Sequence, residues 1–298
     1  MTTAGARTSV GQLPNFLVIG AMKAGTSSLY QYLRAHPQIF MPAAKELSFF
    51  AYEPNARHDL EWYRRQFASA GEGAVALGEA STMYTKFPRH PGVPERIAAR
   101  IPGAKFVYVI RDPVERIRSH YEHQRNVGAE HAPIEEAVRR DPAYLDCSRY
   151  AMQIERYLEH FPREQLLVVT SEELRSERAK TVANVYEFLG VDREFVPDNL
   201  EHEFFRTDER VPHPAAAWRI RRALKRRFPA TRRIRLNAVP GIRTLGRVRH
   251  RAAAKSTDHV AGLLMTEQLR AELVGFLRED VARLHGYMPP DFAGWGIA

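Results

Sequence analysis

Residues 16–29 read Phe16-Leu17-Val18-Ile19-Gly20-Ala21-Met22-Lys23-Ala24-Gly25-Thr26-Ser27-Ser28-Leu29. An unbroken apolar run of this length suits a strand covered on both faces, and the glycine-bounded turn after it opens into a segment rich in hydroxyls. Strand, tight turn and helix in that order make a phosphate cradle. Backbone N–H groups converge there, and the helix dipole adds partial positive charge. The lysine stands in an unusual place. In the nucleotide-hydrolysing loop G-x-x-x-x-G-K-[ST] it follows the second glycine. Here Gly20 and Gly25 keep that spacing, but Thr26 follows Gly25 and the lysine is Lys23, inside the loop. The loop suits a phosphate-like group and departs from the ATPase pattern.

Further strand-like runs follow at Asn15–Ile19, which contains the first, and at Ala74–Leu77, Lys105–Ile110 and Gln165–Val169. Between them lie segments with helical apolar spacing: Ser27–Ala35, His58–Ala68 with Trp62, Tyr63 and Phe67 as its apolar side, Pro91–Arg100, Ile134–Arg140, Tyr150–His160 and Ala179–Leu189. A final helix covers Thr266–Leu284. Strands alternating with helices predict an α/β fold, a three-layer sandwich with a central parallel sheet. The chain reads as one domain over residues 14–298, preceded by a flexible N-terminus over 1–13.

The 298 residues are 44% hydrophobic, enough for a sizeable core. No apolar run of about 18 or more residues appears, and Met1 to Leu13 lacks the apolar stretch of a signal peptide, so a cytoplasmic protein is expected. The single cysteine, Cys147, cannot form an internal disulfide and reads as a buried, neutral thiol. The net charge of +9 is uneven: residues 211–255 hold fourteen Lys and Arg and no acid, while the remainder carries 30 basic and 35 acidic residues. A local excess of that kind implies a local anionic partner. The segment reads first as a lid over an anionic ligand, and next as a surface for an anionic membrane, with Ile220, Leu224 and Phe228 on one helical face, or as a solvated face. Nucleic acid is the weaker partner, because no reading module accompanies the basic run.

A second chemical cluster follows the third strand-like run: Arg111-Asp112-Pro113-Val114-Glu115-Arg116-Ile117-Arg118-Ser119-His120-Tyr121. An arginine leaving the C-terminal end of a parallel strand stands where ligands of open α/β sheets bind. Ser119, eight residues later on the following helix, can face the same pocket, so Arg111 and Ser119 can clamp one phosphate between a guanidinium fork and a hydroxyl. His36, His120, His123 and His131 show no metal-ligand spacing with carboxylates or cysteine, and no metal is expected. Phe49, Phe50, Trp62 and Tyr150 suit either the core or the lining of a pocket.

Taken together, Lys23-Ala24-Gly25-Thr26-Ser27-Ser28, Lys45-Glu46-Leu47-Ser48-Phe49-Phe50, Gly78-Glu79-Ala80-Ser81 and Arg111-Asp112-Pro113 through Ser119 resemble the sulfotransferases that use 3′-phosphoadenosine 5′-phosphosulfate (PAPS). The heparan-sulfate-type branch and its bacterial relatives are most similar. The resemblance spans about residues 14–205 and the last helix, and it implies a P-loop-like fold. It also implies that Lys23 contacts the bridging oxygen and sulfate, that Ala24, Gly25, Thr26, Ser27 and Ser28 cradle the 5′-phosphate, and that Arg111 and Ser119 hold the 3′-phosphate. By the same resemblance Glu46 is the general base, with Glu79 second; Lys45 and Glu46 can also be read as a solvent-exposed ion pair. The acceptor implied is a hydroxyl or amine of a carbohydrate, glycolipid or secondary metabolite.

Two positions depart from the family pattern. Many relatives carry a lysine after the glutamate of G-E-K-[ST], where this chain has Ala80, so that either Lys45 or a basic residue of 211–255 replaces it or the catalytic apparatus is weaker than the family pattern implies. The C-terminal Lys-Gly signature is also missing, leaving Arg247, Arg249, Arg251 and Lys255 as compositional candidates. The rival readings are a nucleotide-dependent kinase or NTPase, opposed by Thr26 after Gly25 and by the lack of an acidic Mg²⁺ ligand at a strand end, and a non-catalytic basic protein.

Overall fold

The computed structural model describes residues 12–54, 56–202, 204 and 265–297. The basic segment 211–255 and the first eleven residues, with the roles expected of them, lie outside the described residues. Five parallel strands form one sheet: β1 (Phe16–Gly20), β2 (Ile39–Phe40), β3 (Ala76–Ala80), β4 (Lys105–Ile110) and β5 (Leu166–Thr170), in the spatial order β2-β3-β1-β4-β5. Every residue of β1 and β3 is buried, as the apolar run of β1 predicts for a strand covered on both faces. Strand order reverses at β1, so the carboxyl ends of β1, β3 and β4 open onto the switch-point crevice where ligands of such sheets bind.

The helices flanking the sheet are α1 (Thr26–Ala35), α2 (Leu60–Arg65), α3 (Val93–Ala98), α4 (Pro113–Asn126), α5 (Ile134–Arg140), α6 (Ala143–Asp146), α7 (Tyr150–Leu158), α8 (Glu173–Ser176), α9 (Arg178–Leu189) and α10 (Glu267–Leu284). Local chemistry sets their ends. Asp112 accepts from the amides of Val114 and Glu115 at 2.9 and 3.0 Å and caps α4, whose first residue is Pro113. Thr266 caps α10, and α9 stops at left-handed Gly190. Helix α10 is tied to α7 by Asp280, a buried carboxylate that accepts from the amides of Ala151 and Met152 at 3.0 Å each and also meets Arg283, which in turn pairs with Glu155. That tie bears on the site, since Tyr150 at the start of α7 donates its hydroxyl to the Arg111 carbonyl at 2.8 Å.

Three sequence readings need correction. The second strand-like run is displaced, Ala76–Ala80 instead of Ala74–Leu77, because Glu79 and Gly78 are strand residues despite a charge and a missing side chain. Phe16 fills the space over Gly78, where a Cβ would stand 2.2 Å from its ring. The short strand Ile39–Phe40 was not expected at all. The helices read as Pro91–Arg100 and His58–Ala68 contract to Val93–Ala98 and Leu60–Arg65; Tyr63 and Phe67 are buried as expected, while Trp62 is half-buried and stacked on His58 with ring centroids 3.7 Å apart.

The end of β3 carries a buried polar knot. Glu79 is 1% exposed; its Oε1 accepts from the hydroxyls of Tyr63, at 2.9 Å, and Tyr84, and its Oε2 from Ser81 Oγ at 2.6 Å. Ser81 Oγ accepts in turn from the Ser48 amide at 2.8 Å, and the Tyr84 hydroxyl from the Phe50 amide at 3.4 Å. Phe49 stacks on Tyr63 at 4.3 Å, and Phe50 meets Tyr63 edge-on. The aromatic pair is therefore packed on this knot.

Gly78→Ala should lower stability by about 1–3 kcal/mol through overpacking against Phe16, read as a reduced urea midpoint; an unchanged midpoint would show that the ring moves aside freely. Glu79→Gln puts an amide N–H₂ where hydroxyls donate, and a loss of about 1–3 kcal/mol is expected in the same measurement. Full retention of stability would mean that the knot contributes nothing to holding residues 48–50.

Candidate functional site

The turn between β1 and α1 leaves no room for side chains at its start. A Cβ on Gly20 would lie 2.0 Å from Thr85 Oγ1 and 3.1 Å from the Tyr108 ring. Lys23 has φ +74° and Gly25 φ +99°, so the loop is wound through the left-handed region, which costs a non-glycine residue roughly 1–3 kcal/mol. Gly25 begins α1 without any side-chain cap and with no acid in the first turn, in contrast to α2, α4 and α10, whose N-termini are capped by Asp59, Asp112 and Thr266. The first amides of α1 thus face the cradle with the helix dipole behind them. Ser28 is the exception among the expected cradle residues: its hydroxyl donates to the Phe204 carbonyl and accepts from the Phe204 amide, both at 3.2 Å, so it ties α1 to the chain near residue 204.

Arg111 leaves β4 beside this loop. Its Nη1 donates to the Lys23 carbonyl at 3.5 Å and its Nη2 lies 3.9 Å from Glu115. The two anion clusters read separately in the sequence are therefore adjacent in the fold. Ser119 is 5% exposed, two turns along α4.

On the other side of the loop stands Glu46, with φ +62°, followed by Ser48 with φ +54°. Two left-handed residues so close together need support, and three contacts supply it. The Glu46 amide donates to the Ala80 carbonyl at 2.9 Å, and Oε2 accepts from the Thr82 amide at 2.9 Å and the Thr82 hydroxyl at 3.2 Å. Lys45 pairs with Glu46 Oε1 at 3.0 Å and also donates to Thr26 Oγ1, the first residue of α1, at 3.2 Å. The ion pair of the alternative reading does form, and it bridges the general-base candidate to the cradle. The Glu46 carboxylate remains 39% exposed, open to an incoming molecule. Glu79 does not share that role: both its oxygens are occupied in the β3 knot, and burial pushes its carboxyl up. The second base candidate is a structural group.

Sequence reasoning assigned no site role to three residues, of which His120 was weighed only as a metal ligand or a surface or loop residue. Arg116 is fully buried, its guanidinium donating to Ser148 Oγ at 2.6 Å, the Tyr144 carbonyl at 2.5 Å and, more weakly, the Met22 carbonyl of the loop at 3.4 Å. Among the described residues no carboxylate lies within 4 Å of it. His120, beside Ser119, is 4% exposed with its Nδ1 unpartnered among the described residues; burial, then Arg116, Lys86, His123 and Lys23, push its pKa down to about 2. Lys86 completes the group. Arg116 and His120 had proximity to Arg111 and Ser119 as their only sequence signal, which a helical period does not interpret, and Lys86 had none.

The outcome is a group of cations, Lys23, Lys86, Arg111 and Arg116, gathered around the loop, with the part-exposed carboxylate of Glu46 beside it. Of these Arg116 is fully buried and meets only neutral acceptors among the described residues, and a buried cation so placed is costly, a cost that a nearby anionic ligand relieves. The donor set therefore fits a ligand with phosphate-like groups. Among the described residues no group of three or more His, Cys, Asp or Glu side chains is placed to hold a metal ion, and no helix is long and apolar enough to cross a membrane.

Comparison with known proteins agrees with this geometry. The sulfotransferase domain family matches residues 13–211. The bifunctional heparan sulfate N-deacetylase/N-sulfotransferase 4 of Mus musculus is 33% identical over 199 residues, 60% of this chain and 22% of the relative. The heparan sulfate glucosamine 3-O-sulfotransferase 3B1 of Homo sapiens is 31% identical over 191 residues, 61% of this chain and 47% of the relative. The chain thus spans less than half the length of these curated relatives. Among solved structures, a sulfotransferase from Alicyclobacillus acidocaldarius superposes with a TM-score of 0.66 at 28% identity, covering 96% of this chain and 99% of that one. The all-parallel sheet is the P-loop-like α/β arrangement of these enzymes, and with two-thirds of its length matched by their domain the chain belongs to the sulfotransferase family.

Proposed function

We propose that this chain transfers the sulfuryl group of PAPS to a hydroxyl or amine of a carbohydrate-like acceptor. The observation that carries the reading is the contact of Arg111 with the Lys23 carbonyl, which joins a loop suited to a 5′-phosphosulfate to a guanidinium suited to a 3′-phosphate. PAPS supplies a sulfuryl group on a phosphate leaving group. The loop amides and the uncapped N-terminus of α1, through Ala24, Gly25, Thr26 and Ser27, hold the phosphate. Lys23 faces the bridging oxygen, where charge accumulates as the S–O bond breaks, so its effect is larger in the transition state than in the ground state. Arg111 and Ser119 hold the 3′-phosphate, and the Tyr150 hydroxyl tethers the Arg111 backbone through its carbonyl. Glu46 accepts the acceptor's proton as the new bond to sulfur forms. Two hydrogen bonds from Thr82 and the ion pair with Lys45 keep its carboxylate aimed across the loop. The likeness to heparan sulfate enzymes supports a sugar acceptor, with glycolipids and secondary metabolites in the same chemical class.

Calorimetric titration should give tight, metal-independent binding of 3′-phosphoadenosine 5′-phosphate (PAP) in preference to Mg-ATP; the reverse preference would replace this reading with a kinase or NTPase. Arg111→Ala should weaken PAP by about ten- to a hundred-fold while leaving adenosine 5′-phosphate nearly unchanged, the loss expected for one charge-assisted contact to the 3′-phosphate. Equal losses for both nucleotides would remove Arg111 from that task. In a sulfate-transfer assay, Glu46→Gln should retain PAP affinity and lower kcat by about 10²–10⁴-fold. A retained kcat would leave the acceptor to lose its proton without this carboxylate.

A further inference from the structure

Lys86 follows directly on the 3₁₀ turn Thr82–Thr85, and that turn is built into the site at both ends. Thr82 binds the Glu46 carboxylate; Thr85 donates its hydroxyl to the Ile19 carbonyl at 3.0 Å and packs against Gly20, at the start of the cradle. The Lys86 side chain returns toward the same loop, and its ammonium lies 3.3 Å from Met22 Sδ. A lysine ammonium has three protons to place, and a thioether is a weak acceptor for one of them. Among the described residues no carboxylate lies within 4 Å of it. A four-carbon stem at a chain surface ordinarily carries its charge into water. Here burial, together with Arg116 and Arg89, disfavours the charged form, while Cys147 and Glu46 favour it. Lys45 differs: its ammonium is already engaged by Thr26 and Glu46.

We propose that Lys86 is a further donor-binding residue, its ammonium holding the terminal sulfonate oxygens of PAPS between the Lys23 loop and Glu46. The inference rests on the sulfuryl-transfer reading above and assigns it a residue that neither the motifs nor the family pattern marks. The position follows from the frame: a group that touches Lys23 at its bridging oxygen and is approached by an acceptor from Glu46 must present its remaining oxygens to the walls between them, and Met22 with Lys86 forms one such wall. Those terminal oxygens carry charge before transfer and lose some of it in a loose transition state. A cation there binds and orients the ground state, while Lys23 serves the leaving oxygen.

The test compares two ligands that differ only in the sulfonate. Calorimetric affinities of PAPS and PAP, without acceptor, are measured for the wild-type chain and for Lys86→Met. The expected result is a loss of about ten- to a hundred-fold for PAPS with PAP held within about two-fold, the size of one charged hydrogen bond. Retained PAP affinity also reports a folded site. In turnover, KM for PAPS should rise more than kcat falls. Lys86→Gln, which keeps a polar stem without the charge, must show the same split if the methionine variant does not fold. A PAPS-to-PAP ratio unchanged from wild type overturns the proposal, whether both ligands are retained, both are weakened equally, or only the acceptor KM rises. A wild-type chain that binds neither ligand would instead remove the donor reading itself, and this inference with it.

Discussion

The constraint on which the site depends is a buried carboxylate that does no chemistry. Glu79 closes β3 with three hydroxyl donors around it, from Tyr63, Tyr84 and Ser81. Burial alone would make such a group expensive, and the hydrogen bonds offset the cost only if all are made together. That requirement fixes three chain segments at once: α2 through Tyr63, the turn at residues 82–85 through Tyr84, and residues 48–50 through Ser81 and the Tyr84 hydroxyl. Glu46, two residues before Ser48, then needs only the Ala80 carbonyl and Thr82 to be held in a left-handed conformation that an isolated loop would leave.

Charge is arranged across the crevice with the same economy. Arg116, fully buried and met by a hydroxyl and two carbonyls, is a cation placed among neutral acceptors beside the Met22 carbonyl. Burial, and after it Arg116, Lys86, His123 and Lys23, keep His120 neutral, so the histidine adds an uncharged ring beside these cations. Glu115 is the local counterweight on the outer side, within 4 Å of Arg111, Arg118 and Arg270. Shared among three arginines, it offsets the charge of Arg111 only in part.

Much of this was legible because it is local. The apolar run of β1, the glycines of the loop, the hydroxyls of α1 and Asp112-Pro113 at the start of α4 each specify backbone geometry within a few residues, and the structure follows them closely. What was misread depends on contacts distant in sequence. Glu79 looked like a possible base and displaced the expected strand, because nothing in Gly78-Glu79-Ala80-Ser81 reveals that Tyr63 and Tyr84 surround its carboxylate. Ser28 belongs to a run of hydroxyls that reads uniformly as a cradle, yet its partner is Phe204, 176 residues away. Lys86 and Arg116 lack any diagnostic spacing; only the return of their side chains to Met22 gives them a place.

Position 80 draws these points together. Ala80 is 1% exposed, and its carbonyl accepts the Glu46 amide, so the strand end contributes backbone and no charge. A cation carried on β3 would be set by the sheet alone. Lys86 sits instead at the far end of the turn whose near end binds Glu46, so one short 3₁₀ segment sets the position of both the carboxylate and the ammonium. A shift of that turn would move the two together, preserving their separation while changing their distance from Lys23. Thr85, hydrogen-bonded to the Ile19 carbonyl and lodged against Gly20, ties the turn to the start of the cradle, and the missing side chain at Gly20 is what allows Thr85 to come so close.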